Sequence, residues 1–145
     1  MRSTRPAILA AVVGVVAIVA LAAVFLPRLR HHEMGADNDM LAAADVNQGR
    51  EIAQSCKNCH SFERGEVNEI GPSLYGIVGA KIASRKDFQY SYALQQKGDL
   101  RWNVDNLDRW IRNPSGFIPG NRMIFNGLPD PQDRMDLIAY LMTLK

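Results

Sequence analysis

Cys56-Lys57-Asn58-Cys59-His60 gathers both cysteines of the 145-residue chain, and one of its three histidines, into five consecutive positions. On a helical turn, side chains three apart project to the same side. Two thiols so placed can form thioether bonds to the two vinyl groups of one porphyrin, and the histidine next in line is set beneath the iron as a nitrogen ligand. C-x-x-C-H is the attachment signature of c-type haem. Other readings of these residues meet obstacles elsewhere in the chain. A thioredoxin-like dithiol follows a strand in a βαβ pattern, and no such pattern is present. A disulfide between Cys56 and Cys59 would close a loop too small to stabilise much, and zinc would need a second spaced pair of ligands. The motif implies one haem c per chain, bound covalently through Cys56 and Cys59, with His60 as a metal ligand.

Upstream of the motif, Asp45 followed by Gln48 three residues later is a capping-box signature, opening a helix through Gly49, Ile52 and Ala53 toward Cys56. Downstream, Gly65, Gly71, Pro72, Gly76 and Gly79 break any long element, leaving loop with a short helix over 73–78. Phe88 to Lys97 reads as a helix closed by Gly98. Asn103 caps VDNLDRWIRN, which must stop where Pro114 follows Asn113. Residues 115–129 read as irregular. Asp130 then caps a last helix with Pro131 in its first position and Leu137, Ile138, Leu141 and Leu144 in one apolar stripe. There is no internal repeat and no alternating strand pattern, so the expectation is an all-α domain over 45–145 with long loops.

The amino end has a different character. From Ala7 to Leu26 there are twenty residues without a charge, bounded by Pro6 and Pro27. Such a helix rises about 30 Å, the hydrocarbon thickness of a bilayer. With Arg2, Arg5 and the terminal amine before it and Arg28 and Arg30 after, the charge balance narrowly favours a cytoplasmic amino end. A cleaved signal peptide competes, because Ala20-Leu21-Ala22 has the small-x-small pattern of a cleavage site. The apolar run, however, exceeds a typical signal core of about 7–15 residues. The expected organisation is therefore an uncleaved signal-anchor over 1–27, a single transmembrane helix, followed by a flexible linker over 28–44. Both readings export the carboxyl-terminal domain. The linker mixes charge, Gly35 and small residues, and would span about 20–25 Å as a coil. His31, His32, Met34 and Met40 lie within it, and with no second cluster of ligand spacing they read as solvated linker rather than a metal site.

Composition is that of a globular protein, 47% hydrophobic and 22% charged, which excludes a disordered or collagen-like chain. The net charge of +2 leaves the exported domain nearly neutral, with no basic run of the kind nucleic-acid binding needs.

The chain resembles the small monohaem class I cytochromes c of mitochondrial and bacterial electron transport. The likeness covers 45–145 and runs through six segments in the family's order: CKNCH, GPSLYGIVG at 71–79, DFQYSYAL at 87–94, LDRWIRNP at 107–114, IPGNRMIF at 118–125 and DLIAYL at 136–141. It implies the class I cytochrome c fold around one covalent haem, with Met123 as the second protein ligand to the iron beside His60. It also implies that the Pro72 carbonyl fixes the His60 ring, that Tyr90 and Trp102 donate hydrogen bonds to a haem propionate, and that Trp110 and Phe125 complete the haem-contacting set. Gly49 matches the point where the first helix meets the last, near Leu137 and Tyr140.

Departures from the family pattern are as informative. The arginine that often follows the last glycine of the GPSLYGIVG-like segment, and helps hold a propionate, is Ala80 here, which leaves two alternatives, a substitute in Lys81 or a more hydrated propionate. Trp110 stands where a tyrosine hydroxyl commonly lies near the methionine sulfur, Asn121 replaces a common threonine, and Ala53 replaces a phenylalanine packed between the terminal helices. Ile52 or Phe62 would have to fill that gap.

With both axial positions taken by protein, the iron has no open site for oxygen, peroxide or substrate, so the resemblance implies an electron carrier rather than an enzyme. The amino-terminal span and linker resemble those of anchored bacterial members. The expectation is a monomer on the periplasmic face of the bacterial inner membrane, taking electrons from a cytochrome bc-type complex and passing them to a terminal oxidase, with no small-molecule substrate. A docking rim around Lys57, Arg122 and Phe125 is sparsely charged, with Ser55 and Ser115 at positions often basic. A fixed haem subunit of a larger oxidoreductase, or a haem peroxidase or gas sensor, are the competing functions.

Overall fold

A computed structural model describes residues 39–66 and 70–145. The chain divides into two units, 1–38 and 39–145. The expected anchor over 1–27 lies outside the described residues, as does the linker up to residue 38. Among the described residues no helix is long and apolar enough to cross a membrane. Residues 39–42, within the stretch read as linker, are helical, and Met40, Leu41 and Ala44 pack against the core, so this stretch belongs to the unit 39–145.

The described elements are helical: α1 (Val46–Ile52), a 3-10 helix (Ala53–Asn58), α2 (Tyr92–Gln95), α3 (Val104–Arg112), α4 (Pro114–Phe117) and α5 (Pro131–Thr143). The only β feature among them is an isolated bridge between Lys81 and Arg101. The helix starts follow from local chemistry. Asn103 Oδ1 accepts from the N–H of Asn106 at 2.9 Å, and Asp130 Oδ1 accepts from Gln132 and Asp133 at 2.8 and 3.1 Å, with Pro131 needing no partner in the first position.

The terminal helices α1 and α5 pack on each other, and α5 also covers α3. Close approach needs a residue without a side chain at the crossing: a Cβ on Gly49 would sit 1.9 Å from the Asp136 carbonyl oxygen and 3.0 Å from Tyr140 Cβ. Asp45 caps α1 as expected, accepting from Asn47 and Gln48. Its own N–H goes not to Gln48 but to the buried carboxylate of Asp136, at 2.9 Å, and Gln132 Nε2 shares that acceptor at 2.9 Å. The expected local cap is thus completed across the helix pair. Phe62 fills the gap left by Ala53, stacking on Tyr140 with ring centroids 6.1 Å apart. Met135 and Ile138 are fully buried beneath the pair, and Leu137 and Leu141 nearly so.

Three expected elements differ. The helix over 73–78 is a series of turns, because Gly76 takes φ 67, outside the helical region, and the Ile77 N–H bonds the Leu74 carbonyl three residues back. Leu74 N–H bonds the Ser61 carbonyl, Tyr75 N–H the Ser73 hydroxyl, and Gly76 N–H the carbonyl of Leu144. The helix expected from Phe88 starts at Tyr92, where Ser91 Oγ accepts from Leu94 N–H, and Ala83 and residues 85–90 line an open groove. The stretch from 115 is helical to Phe117, since Asn113 caps a second short turn beginning at Pro114.

Candidate haem-binding site

Cys56 lies in the 3-10 helix, Cys59 closes it, and His60 follows, with the N–H groups of Cys59 and His60 both directed at the Cys56 carbonyl at 3.1 and 2.9 Å. This tight turn is what sets the three side chains in one place. Both sulfurs are half-buried and neither is in a disulfide. Burial pushes the Cys56 thiol above its ordinary value, against the hydrogen bond from Ser55. The thiol therefore stays protonated unless it forms a bond.

His60 is oriented by one contact. Its Nδ1 lies 2.6 Å from the Pro72 carbonyl, which can only accept, so Nδ1 carries the proton and Nε2 presents a lone pair. Burial holds the imidazole below its ordinary protonation range, while the Pro72 carbonyl pulls the other way. Gly71 makes room for the ring. A Cβ there would be 2.6 Å from His60 Cε1 and 2.9 Å from the Cys59 carbonyl.

Met123 sits on the irregular stretch after Ile118. Its N–H donates to Asn121 Oδ1 at 2.9 Å, while Asn121 Nδ2 donates to the carbonyls of Pro114 and Ile118 at 3.0 and 2.9 Å. Asn121 thus ties the Met123 backbone to α4 with both ends of one side chain. Arg122 Nη2 bonds the Gln89 carbonyl, joining this loop to the groove-lining segment. At the far end, Leu128 N–H bonds the Ile111 carbonyl, and Gly127 passes so close to α3 that a Cβ would meet the Arg112 carbonyl oxygen at 2.0 Å.

The remaining aromatic residues fall in two groups. Trp102 is buried and lies against half-buried Trp110, with ring centroids 5.3 Å apart. Tyr90 packs edge-on to Phe88 at 5.0 Å and lines the groove, whose volume is about 540 Å³. Burial raises the Tyr90 hydroxyl, while backbone contact with Arg85 and its charge oppose the rise. Phe125 is half-buried against the core.

A cytochrome c family model matches residues 46–145, the whole of the folded body after the first cap. The chain belongs to the cytochrome c family. It is 45% identical over 106 residues to a cytochrome c homolog of Bradyrhizobium diazoefficiens, covering 72% of this chain and 57% of that protein. It is 40% identical to cytochrome c2 of Rhodomicrobium vannielii, covering 70% and 81%. Among solved structures, cytochrome cH from Methylobacterium extorquens superposes with a TM-score of 0.64 at 39% identity, covering 69% of this chain and 99% of that one. Against the first relatives the chain spans a little under three fifths of their length.

Proteins of this family are electron-transfer proteins rather than enzymes and bind haem c covalently, here through Cys56 and Cys59. The residues fit such a group: two unbridged thiols, an imidazole with one nitrogen already committed, and a glycine whose missing side chain leaves the ring its place.

Two features of this cytochrome c escape sequence reasoning. Arg134 is 4% exposed on α5 and pairs with buried Asp108 of α3, Nε to Oδ1 2.5 Å, while its Nη1 donates to the carbonyls of Leu128 and Pro129 at 2.9 and 2.7 Å. It clamps the carboxyl end of the Met123 loop. Nothing in the sequence distinguishes this arginine from the others, apart from its place on a helix otherwise rich in buried positions. The second is Arg85, which lines the groove beside Tyr90.

Proposed function

We propose that this cytochrome c is a membrane-tethered, single-haem carrier that moves one electron at a time on the periplasmic face of the bacterial inner membrane. The observation that supports the reading is the His60 imidazole held at Nδ1 by Pro72, and the second ligand we propose is Met123, on a loop fastened at both ends. Haem c when bound supplies a reversible one-electron couple. Cys56 and Cys59 would hold the group and His60 and Met123 would ligate its iron, which would keep substrate away from the metal and leave little to rearrange on electron transfer. Imidazole and thioether together favour the reduced state. Tyr90 and Trp102 are the residues proposed to bond the propionates, and Trp110 and Phe125 to contact the ring.

The tether is proposed from the uncharged run 7–26. Donor and acceptor are a cytochrome bc-type complex and a terminal oxidase in the same bilayer. Lys57 and Arg122 are exposed on the proposed rim, beside uncharged Ser55 and Ser115. With so little charge to steer encounters, confinement in the membrane plane raises effective concentration instead.

A haem-stained denaturing gel of carbonate-washed membranes, run beside the soluble periplasmic fraction, tests both parts. Stain at full-length mass in the membrane lane is expected. A smaller stained band in the soluble lane means cleavage near Ala22 and a diffusing carrier, and no stain with the protein present removes the haem assignment. Rapid carbon monoxide binding by the reduced protein would show Met123 absent from the iron. Oxidation by the partner that fell steeply with added salt would overturn the role given to the tether.

A further inference from the structure

The position after Gly79 carries no cation in this chain, yet three cationic side chains lie nearby. Lys81 is exposed and its backbone bridges to Arg101. Arg101 is exposed too, and its Nη1 is committed to the Gly79 carbonyl at 2.8 Å. Arg85 differs from both. Its side chain is 27% exposed, Nη1 reaches back to the Tyr75 carbonyl at 3.2 Å, and Nε is buried with no hydrogen-bond acceptor. Asp87 does not supply one: its Oδ1 is 3.4 Å from Nε, an ion-pair contact without hydrogen-bond geometry, on a side chain 42% exposed.

A buried donor without an acceptor is costly, and folded proteins rarely keep one without cause. A carboxylate is the acceptor that a guanidinium fork fits best, and the charge-assisted bond is the strong kind. Two residues earlier, Ala83 adopts φ 56, in the left-handed region an alanine seldom occupies. Arg85 and Tyr90 line the same groove, so a guanidinium and a phenol can serve one anion.

We infer that Arg85 binds a haem propionate through its unpartnered Nε–H, with Tyr90, taking the part that a cation at position 80 or 81 would otherwise play. The inference rests on the haem assignment above. The charged and titratable groups around Arg85 are Asp87, Lys86 and Tyr90 along the groove, and Tyr75, whose ring carries the Arg64 guanidinium at 5.3 Å.

The test uses the full-length, haem-loaded protein and its Arg85→Gln, Arg85→Lys and Lys81→Gln variants. Each is checked for covalent haem by staining, and its midpoint potential is followed by spectroelectrochemistry from pH 5 to 9. Removing a cation close to the porphyrin favours the oxidised iron, so in Arg85→Gln the reduced-to-oxidised ratio at fixed ambient potential should fall by about threefold or more. Loss of the guanidinium also moves propionate ionisation up into the accessible range, so the potential of Arg85→Gln should acquire a downward slope with rising pH. Arg85→Lys should recover most of the ratio, and Lys81→Gln should match the parent. If Arg85→Gln holds its haem and matches Lys81→Gln in both potential and slope, the inference is wrong while the haem assignment stands. If the parent carries no covalent haem, both fall.

Discussion

The two flanks of the proposed haem site, His60 and Met123, are built on opposite principles. On the His60 side everything is near in sequence: two cysteines and the histidine share one turn, and a single carbonyl from Pro72, twelve residues on, fixes the ring. On the Met123 side nothing regular runs from Asn121 to Asp130, and the loop hangs from side chains at its ends, Asn121 at one and Arg134 at the other. The lesson is that a ligand can be placed by covalent proximity or by polar clamps, and that the two fail differently. Proximity fails by collision. Clamps fail by degrees, and a segment held mainly by side chains is the kind that opens locally before the whole fold does.

The largest effect is expected at the far clamp. Arg134→Met leaves Asp108 buried without its partner and should cost about 3–5 kcal/mol by denaturant unfolding. The sulfur-to-iron charge-transfer band should be lost while the haem stays attached. Adding Asp108→Leu should restore much of the stability. It should not restore the band, because the carbonyls of Leu128 and Pro129 would still lack their donor. Recovery of both would mean the pair serves packing and not the loop.

Gly71→Ala strikes the other flank. The new Cβ has no space beside His60 and the Cys59 carbonyl, and overpacking of this kind costs about 1–3 kcal/mol. Here the disturbance should appear in the imidazole ligand, seen as shifted proton resonances of His60, with the Met123 band retained. A loss of the Met123 band first would erase the contrast between the flanks.

Asn121→Ala removes one side chain that makes three hydrogen bonds, at about 1 kcal/mol net for each bond lost, with partial recovery by water at this half-buried position. The Met123 band should weaken without vanishing. The smallest change is a gain: Ala83→Gly relieves a left-handed alanine on neither flank and should stabilise by about 1 kcal/mol, with the Met123 band unaltered.

The parts legible in the sequence are those decided within a few residues. CKNCH, the caps at Asn103 and Asp130, and the stop before Pro114 depend on near neighbours, and the structure has them where the residues predict. The parts that were not legible are decided from far away. The 73–78 segment reads as a short helix, but Gly76 turns to φ 67 and its N–H reaches the carbonyl of Leu144. Asp45 and Gln48 spell a capping box, but Asp136 supplies the better acceptor. Arg134 and Asp108 each look like ordinary surface charges until α3 and α5 are laid together.

The bond between the Asp45 N–H and the Asp136 carboxylate joins residues 91 apart, and the Gly49 crossing depends on the same helix pair. A growing chain has made Cys56, Cys59 and His60 long before it makes Asp136. At roughly 5–20 residues per second, Asp45 waits about 5–18 s for its partner. During that interval the first helix has nothing to close against, and both thiols remain open to whatever machinery attaches their cofactor. The order of the elements along the chain thus leaves time for a covalent modification before the terminal helices close on each other.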